Sequence, residues 1–321
     1  MSSLPQPEIA ARGSLDANQV AVEAEAAVRA LPVAWDGEFE SLYSCLIVDE
    51  PAVHLLPLHF LPSGASQKVG APALKDLGVA AKLEYARNRW LDEVVDSRDP
   101  SPVPLTAHRL NDAVLDLIRD RYGRVLGPTA AASFYGILSD LHARHGMSMA
   151  LDGRRRGCLE PSLGFEEYVA HARARHGPMR ASLDALLLLA DAPEGVIRKA
   201  RASWHDWELG VQFYDDALDV EEDFRDRNPS WAVSRTLDIF RGKSGTKDRS
   251  MLPRPDAFYE LALSAGVVCQ ALAYAEDFFE ASARLADQTF PTWAALQRQC
   301  LGHTRGLRED YQAMIAGSEK A

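Results

Sequence analysis

The sequence has few cysteines, no surplus of basic residues, no long apolar run and no alternating strand pattern. Its four cysteines in 321 residues are widely spaced and form no CxxC pair, which argues against a disulfide framework and a cysteine-based zinc site. We expect them to be small buried residues in a reducing compartment, and therefore a cytoplasmic protein. The four are Cys45, Cys158, Cys269 and Cys300.

The charge and the lack of long apolar segments exclude further classes of protein. A net charge of −11 argues against nucleic acid as a partner, because no basic excess is present to neutralise phosphates. The longest apolar run, residues 185–190, is far too short to cross a bilayer, so no membrane span is expected. Residues 1–15 are polar and lack the apolar stretch of a secretory signal, and we expect a disordered leader there.

The sequence also lacks a P-loop, a dinucleotide fingerprint, a serine elbow and an HExxH pair. What it contains is long segments rich in Ala, Leu, Arg and Glu, separated by short Pro and Gly breaks. This pattern predicts a single all-α domain over residues 16–321, an antiparallel bundle of about ten helices. The helices are expected near residues 16–31, 37–49, 70–97, 105–124, 128–149, 165–190, 194–226, 231–241, 254–286 and 291–315.

Two acidic clusters carry most of the chemistry of the sequence. The first, from Asp92 to Asp96, reads DEVVD, and the second, from Asp215 to Asp223, reads DDALDVEED. Residues four apart lie on the same face of a helix, so Asp92 aligns with Asp96. By the same spacing Asp215, Asp219 and Asp223 form a column of three. Such columns repel themselves and indicate bound cations.

Both columns continue an apolar helix face. Helical steps back from Asp92 reach Tyr85 and Leu77, and steps back from Asp215 reach Trp207. A run of charged residues usually lies on a solvent-exposed helix face. Here two such runs each continue an apolar face directed toward the core, which indicates that their carboxylates face the interior. Buried unpaired carboxylates are costly, and clustered oxygens suit Mg²⁺. The sequence therefore predicts an Mg²⁺ site that bridges an anionic substrate to an acidic protein.

The same residues resemble a known superfamily. Residues 212–219, QFYDDALD, match the QxxDDxxD pattern of the trans-isoprenyl diphosphate synthases and class I terpene synthases, and residues 91–96 resemble its first aspartate-rich motif as a DExxD variant. In residues 165–178, Arg175 and His176 stand where the family has a Lys-Thr pair that kinks the helix toward the diphosphate. The resemblance implies a helical barrel with a central apolar cavity, and a linear prenyl diphosphate held by two or three Mg²⁺ ions.

The resemblance also implies roles for individual residues. Those expected to be catalytic are Asp92, Asp96, Asp215, Asp219 and Arg175. Those expected to hold metal are Asp92, Glu93, Asp96, Asp215, Asp216, Asp219 and Asp223. Those expected to bind the diphosphate are Arg175, Arg225, Arg308 and Tyr311. Those expected to form the cavity wall are Tyr85, Phe134, Trp204, Trp207, Phe213 and Phe278.

The residues after the first motif decide between two reactions. Elongating members of the superfamily place there an arginine pair that binds isopentenyl diphosphate, whereas Asp96 is followed by SRDPSP. The missing pair favours cyclisation, so we expect a terpene synthase, a lyase that ionises a C15–C20 prenyl diphosphate and releases a cyclic terpene. The alternatives are a trans-prenyltransferase with a divergent isopentenyl diphosphate site and a non-catalytic partner subunit.

Three other segments carry weaker expectations. Arg154, Arg155 and Arg156 are expected to form a solvated basic loop, with contact to the diphosphate as the alternative. Residues 241–255 are expected to form a mobile loop that closes over the site. Arg87 and Asn88, one turn before Asp92, lie where elongating enzymes place chain-length residues, and the sequence gives no account of them. A homodimer is compatible with the sequence.

Overall fold

The computed structural model describes residues 16–32, 37–47, 56–61, 69–96, 105–155, 159, 164–245 and 251–318. All regular secondary structure within these ranges is helical, so the all-α prediction is confirmed. The predicted leader at residues 1–15 lies outside the described residues, as does the segment that follows Asp96. Of the predicted loop at 241–255, the first residues belong to a helix and residues 246–250 also lie outside the described part.

The structure contains thirteen α-helices and one 3₁₀ turn within the described residues. In chain order they are α1 (Ala17–Arg29), α2 (Gly37–Ile47), α3 (Leu56–His59), α4 (Ala71–Asp96), α5 (Leu105–Arg155), α6 (Phe165–Arg175), a 3₁₀ turn (Gly177–Arg180), α7 (Ala181–Leu189), α8 (Glu194–Leu218), α9 (Val220–Arg225), α10 (Trp231–Ser244), α11 (Pro255–Ser264), α12 (Val267–Ala286) and α13 (Pro291–Ser318).

The span α5 contains the two predicted helices, which meet at a kink at Gly127. Gly127 takes φ 71° and ψ 168° there, a left-handed value of φ that favours glycine, and Pro128 follows it. Proline cannot donate the backbone hydrogen bond of a helix interior, so the helix is interrupted by a kink at the predicted break, and α5 consists of two helical parts. The helix then continues beyond its predicted end at residue 149, as far as Arg155. This extension brings the end of α5 to the candidate site.

Three predicted helices are instead divided. The segment 165–190 changes to a 3₁₀ turn at Gly177, with Pro178 in its first turn. The segment 254–286 breaks at Gly266, which has φ 72°. The segment 194–226 breaks at Asp219, yet the Asp219 amide still donates to the Asp215 carbonyl at 2.8 Å. The spacing of the aspartates therefore survives this break.

Helix α8 is held in the centre of the molecule by α12, and α12 packs in turn on α13. The backbones approach closely at Gly210, where an added Cβ would lie 2.6 Å from the Phe279 ring. Beside it the Ser203 hydroxyl donates to the Ser282 carbonyl at 2.9 Å, and the Ser282 hydroxyl donates back to the Ser203 carbonyl at 2.7 Å. The Trp293 indole donates to the Ser203 hydroxyl at 3.0 Å. These buried bonds fix the helix that carries the second acidic cluster.

The first half of the chain positions the other acidic cluster. Helix α4 packs against α5 and is covered by α1 and α2. Among the described residues no single helix is long and apolar enough to cross a membrane, while the bent pair Pro255–Ser264 and Val267–Ala286 together meets that length and composition.

Candidate functional site

One cavity of about 230 Å³ lies where the ends of α4, α5 and α6 meet the junction of α8 and α9. Its walls are dominated by carboxylates, which come from both acidic clusters and from the end of α5. The aspartates that line it are Asp92, Asp152, Asp215, Asp216, Asp219 and Asp223. Arg155, Arg175, His171 and His176 also line it. The structure thus brings the two sequence motifs together around one space.

Asp216 is a structural residue of the second motif. Its carboxylate accepts a hydrogen bond from the Tyr168 hydroxyl at 2.5 Å, from the Gln212 amide at 2.9 Å and from the Trp231 backbone amide at 3.0 Å. The last bond satisfies an amide in the first turn of α10. His176 is 3.0 Å from the Gln212 amide oxygen and continues the network. Both of its oxygens accept hydrogen bonds that join α6, α8 and α10, and its role as a metal ligand stays a prediction.

The other aspartates of the second motif are freer. Asp215 is exposed to the cavity, and Asp219 is partly exposed at the break between α8 and α9. Asp223 accepts a hydrogen bond from the Asn228 amide at 2.7 Å. The backbone amide of Asn228 also bonds the Asp223 carbonyl, at 2.7 Å, and closes the end of α9. Asp215 and Asp219 therefore keep oxygens available for a ligand, and Asp223 keeps fewer.

The carboxylates of the second cluster have raised pKa values. Part of the Asp215 side chain is open to the cavity, but the protein around it excludes most water from the carboxyl group. This desolvation, followed by the charges of Asp219 and Asp216, raises the pKa of Asp215 to about 8. Burial and then the charge of Asp216 raise the pKa of Asp223 to about 7. Burial also raises the pKa of Asp219, with the charge of Glu222 adding to it. A bound cation would favour the ionised forms of all these groups.

Among the side chains of the first motif that the structure describes, only Asp92 lines the cavity. Its Oδ1 accepts no hydrogen bond from any described residue and lies 3.4 Å from the Arg175 guanidinium. Glu93 points elsewhere: it accepts a hydrogen bond from the Ser41 hydroxyl at 2.8 Å and one from the Cys45 thiol at 3.4 Å, both on α2. Asp96 ends α4, and its side chain lies outside the described part of the structure.

Arg175 lies at the predicted kink. Helix α6 ends at this residue, and His176 caps the helix with φ −90° and ψ −3°. The His145 ring on α5 lies 2.6 Å from the Arg175 carbonyl through its Nδ1. One turn earlier, the His171 ring lies 2.7 Å from the Asp152 carboxylate. Helix α5 therefore holds the end of α6 at two levels, with the Arg175 guanidinium directed into the cavity.

The other predicted diphosphate ligands lie away from the cavity. Arg225 forms an exposed ion pair with Glu221. The Arg308 guanidinium pairs with both oxygens of Glu276, through Nε at 2.5 Å and Nη2 at 3.2 Å. Tyr311 is half-buried against the core. None of the three predicted ligands lines the acidic cavity, so the structure does not bring them to this site.

The residues predicted to wall an apolar cavity do not line the acidic cavity. Trp204 packs against Trp207 with ring centroids 4.6 Å apart, and Phe213 stacks on Phe278 at 5.7 Å. Phe134 contacts Tyr122 at 4.8 Å. Tyr85 is partly exposed, and its hydroxyl accepts from Arg89 at 3.2 Å. Aromatic residues at helical spacing indicate burial, but the spacing alone does not separate a cavity wall from a filled core.

The two polar residues before the first motif are buried. The Arg87 guanidinium donates to the Asn111 side chain at 2.9 Å and lies 3.4 Å from the Asn88 side-chain oxygen. Burial lowers the pKa of Arg87, and the nearby Glu84 opposes that shift. Polar side chains therefore fill the interior one turn below Asp92.

The donors in the cavity fit Mg²⁺ that arrives with a phosphate ligand. Oxygen donors are what this ion prefers, and Asp92, Asp215 and Asp219 supply them. Among the described residues, no three acidic, histidine or cysteine side chains stand close enough to hold an ion by themselves. A cation would therefore complete its coordination with water and with the oxygens of a ligand, which is the usual behaviour of Mg²⁺ at phosphate sites.

Arg155 was expected in a solvated basic loop, with contact to the diphosphate only as the alternative. It lies in the last turn of α5, buried in the cavity, and not in the solvated loop that the run of three arginines suggested. A signal was present in the sequence: His145, Ser148, Asp152 and Arg155 follow a spacing of three and four residues, which places them on one helix face. That signal was hidden because the helix was expected to end at residue 149.

The chain matches no protein-family model and no curated protein sequence. It does resemble solved structures. A geranylgeranyl pyrophosphate synthase from Lactobacillus brevis has a TM-score of 0.67 and 16% identity, with 90% of this chain and 96% of that chain covered. An octaprenyl pyrophosphate synthase from Helicobacter pylori has a TM-score of 0.68 and 13% identity, with 89% and 99% covered.

A third solved structure is a polyprenyl synthase from Caulobacter crescentus, complexed with calcium and isoprenyl diphosphate. Its TM-score is 0.65 at 16% identity, with 92% of this chain and 98% of that chain covered. These three structures are prenyl synthases, which are transferases, and the expectation of a terpene synthase of the lyase class is corrected accordingly. The matches cover about nine tenths of this chain, and the protein has the class I isoprenoid synthase fold that the sequence resemblance predicted.

Proposed function

We propose that the protein is a trans-prenyltransferase that joins an allylic prenyl diphosphate to isopentenyl diphosphate. The observation that carries the proposal is the meeting of Asp92 with Asp215 and Asp219 around one cavity that also contains Arg175. Similar solved structures named as prenyl synthases support the same reaction class.

Each group in the cavity has a task in this proposal. Asp92, Asp215 and Asp219 would hold Mg²⁺, which would neutralise the charge that develops on the diphosphate as it leaves. Arg175 would exchange its ion pair with Asp92 for charge-assisted hydrogen bonds to the diphosphate. Asp216 would keep α6, α8 and α10 in register so that these groups converge.

The cavity accounts for the headgroup of the substrate and not for its hydrocarbon chain. At about 230 Å³ it is smaller than the ~300–1,000 Å³ typical of sites for drug-sized ligands. Elongating enzymes place their isopentenyl-binding arginine pair in the segment after the first motif. In this chain that segment, residues 97–104, lacks the pair and lies outside the described residues. We propose a linear prenyl diphosphate as substrate and leave its length to experiment. A cytoplasmic location and a homodimer stay predictions.

The test is incorporation of radiolabelled isopentenyl diphosphate by the purified protein with Mg²⁺ and C5, C10, C15 or C20 allylic diphosphates. The proposal expects a labelled, longer prenyl diphosphate from at least one of them. Asp215→Asn should abolish this product, because the site loses a charged oxygen ligand. Glu222→Gln is the matched control, since Glu222 belongs to the same acidic cluster but is exposed outside the cavity.

Two negative results would have different meanings. If no label enters a longer product while Mg²⁺-dependent pyrophosphate binding persists, the transferase proposal is wrong and the site serves another use of a diphosphate. If neither turnover nor pyrophosphate binding occurs, the result favours the non-catalytic partner subunit.

A further inference from the structure

Four polar residues of α5 lie on the face that meets α6. The Ser148 hydroxyl lies 3.2 Å from His171 Nδ1 and 3.4 Å from the His171 carbonyl. His145 bonds the Arg175 carbonyl one turn further along α6, as described above. Burial lowers the pKa of His145 to about 4, so its ring is neutral at pH 7 and donates from Nδ1. These contacts fix the last three turns of α5 relative to α6.

The next residue on this face, Arg155, is a buried cation in the acidic cavity. Its exposure is only 8%. It forms no ion pair within 4 Å and no hydrogen bond through its side chain with any residue that the structure describes. Its neighbour Arg154 is exposed, and its guanidinium donates to the Ala150 carbonyl at 3.1 Å. No guanidinium nitrogen of Arg155 is among the fully buried unpaired atoms, so this cation is accessible to a ligand from the cavity that it lines.

The two arginines of the cavity differ in a way that indicates a ligand. Arg175 already lies against Asp92 at 3.4 Å, whereas the donors of Arg155 bond to no residue that the structure describes. The aspartates around Arg155 attract it from a distance but leave its planar set of five donors without acceptors. Paired oxygens of a phosphate group are the acceptors that such a set fits best.

We propose that Arg155 binds the diphosphate of the substrate directly, as a second cation beside Arg175. The proposal rests on the proposed function, because it assumes that the acidic cavity receives a metal-bound diphosphate. In this arrangement Asp92 and Asp215 would hold the metal ions, and Arg155 would donate hydrogen bonds to the diphosphate oxygens. The fixed contact between α5 and α6 keeps both arginines aimed at one ligand.

The experiment is calorimetric titration of the protein with inorganic pyrophosphate in the presence of Mg²⁺. Arg155→Ala should weaken binding about 10- to 100-fold, as expected for the loss of charge-assisted hydrogen bonds. Arg155→Lys should fall between Ala and wild type, because lysine keeps the charge but cannot form a planar double contact. Arg154→Ala is the matched control and should bind like wild type, since it removes the neighbouring but exposed cation.

The outcomes separate this inference from the proposed function. If wild type binds Mg²⁺-pyrophosphate and Arg155→Ala binds it equally well, the role of Arg155 is refuted while the proposed function stands. If wild type itself does not bind, the proposed function fails and takes the inference with it. Should Arg155→Ala lose cooperative thermal unfolding, Arg155→Gln keeps the aliphatic stem and is held to the same 10- to 100-fold expectation.

Discussion

Two adjacent aspartates of the second motif have different environments. Asp216 accepts three hydrogen bonds and is almost fully buried, whereas Asp215 faces the cavity. At the scale of single residues, the motif therefore contains one group that holds helices together and one that is available to a ligand. Both residues are aspartates in the sequence, and only their contacts in the folded structure distinguish their roles.

Replacement of Asp216 by alanine is expected to act on stability. The change leaves the Tyr168 hydroxyl and the Trp231 amide without their acceptor, and we expect the free energy of unfolding to fall by about 2–4 kcal/mol. Tyr168→Phe removes a single donor and should cost less, about 1–2 kcal/mol. Urea denaturation measures both. A loss below about 0.5 kcal/mol in Asp216→Ala would contradict the structural role.

The raised pKa values predict how stability depends on pH. Asp215 and Asp223 have pKa values of about 8 and about 7 in the folded protein, both above the ordinary value of 3.8. The folded state therefore binds more protons than the unfolded state between these limits. Their contribution to stability is present below pH 4 and is lost as the pH rises to about 8. The metal-free protein should show a melting temperature that declines from pH 5.5 to pH 8.5.

Asp215→Asn is the variant that checks this prediction, since it removes one titrating group. Its melting temperature should decline less steeply with pH than that of wild type. Mg²⁺ with pyrophosphate should also flatten the decline, because it favours the ionised carboxylates. Equal slopes in wild type and Asp215→Asn would show that Asp215 does not titrate in this range.

At the scale of helices, the contact between α8 and α12 depends on a missing side chain. A Cβ at Gly210 would lie 2.6 Å from the Phe279 ring, so Gly210→Ala should displace that ring and cost about 1–3 kcal/mol. Gly302→Ala, in the exposed interior of α13 with open space around it, should instead stabilise by about 0.4–1 kcal/mol. Thermal or urea unfolding of the two variants measures the difference. If both substitutions changed the free energy of unfolding in the same direction, the close contact between Gly210 and Phe279 would be contradicted.

The sequence predicts helices well where composition and breakers agree. The end of α4 follows from a local signal, the prolines that come after Asp96, whereas the kink at Arg175 was expected only from the family resemblance and not from the local sequence. The break at Asp219 has no such signal, because no proline or glycine occurs there. The backbone hydrogen bond from Asp219 to Asp215 nevertheless keeps the helical spacing of the two aspartates. The predicted position of Asp219 is therefore unaffected by the helix break that the sequence did not indicate.

The residues that bind across the cavity were harder to predict than the motifs. Asp92 and Asp215 were found because each ends an inward helix face. Arg308 was assigned to the site by resemblance, but Glu276 lies within its reach and holds it elsewhere. Contact of Arg155 with the diphosphate was only the alternative to a solvated loop, because the placement of this residue depends on how far α5 continues. Local spacing does not determine the tertiary contacts of long, charged side chains, so the positions of these arginines could not be predicted from the sequence.

At the scale of the whole molecule, two halves of the chain each deliver one acidic cluster to a single space. Helices α4 and α5 bring Asp92 and Arg155, while α8 and α9 bring Asp215 and Asp219. The arrangement places strong negative charge and two arginines within one cavity. This combination suits a ligand that is itself a complex of cations and a polyanion, and the proposed function depends on it.

Crystals grown with Mn²⁺ and pyrophosphate, with anomalous diffraction measured at the manganese edge, test this claim most directly. Mn²⁺ takes the place of Mg²⁺ because both prefer oxygen ligands. The account predicts anomalous peaks inside the acidic cavity, in contact with the carboxylates of Asp92 and Asp215, with pyrophosphate between the metal and the guanidinium groups of Arg155 and Arg175. Manganese and pyrophosphate bound together elsewhere, with this cavity free of both, would contradict it.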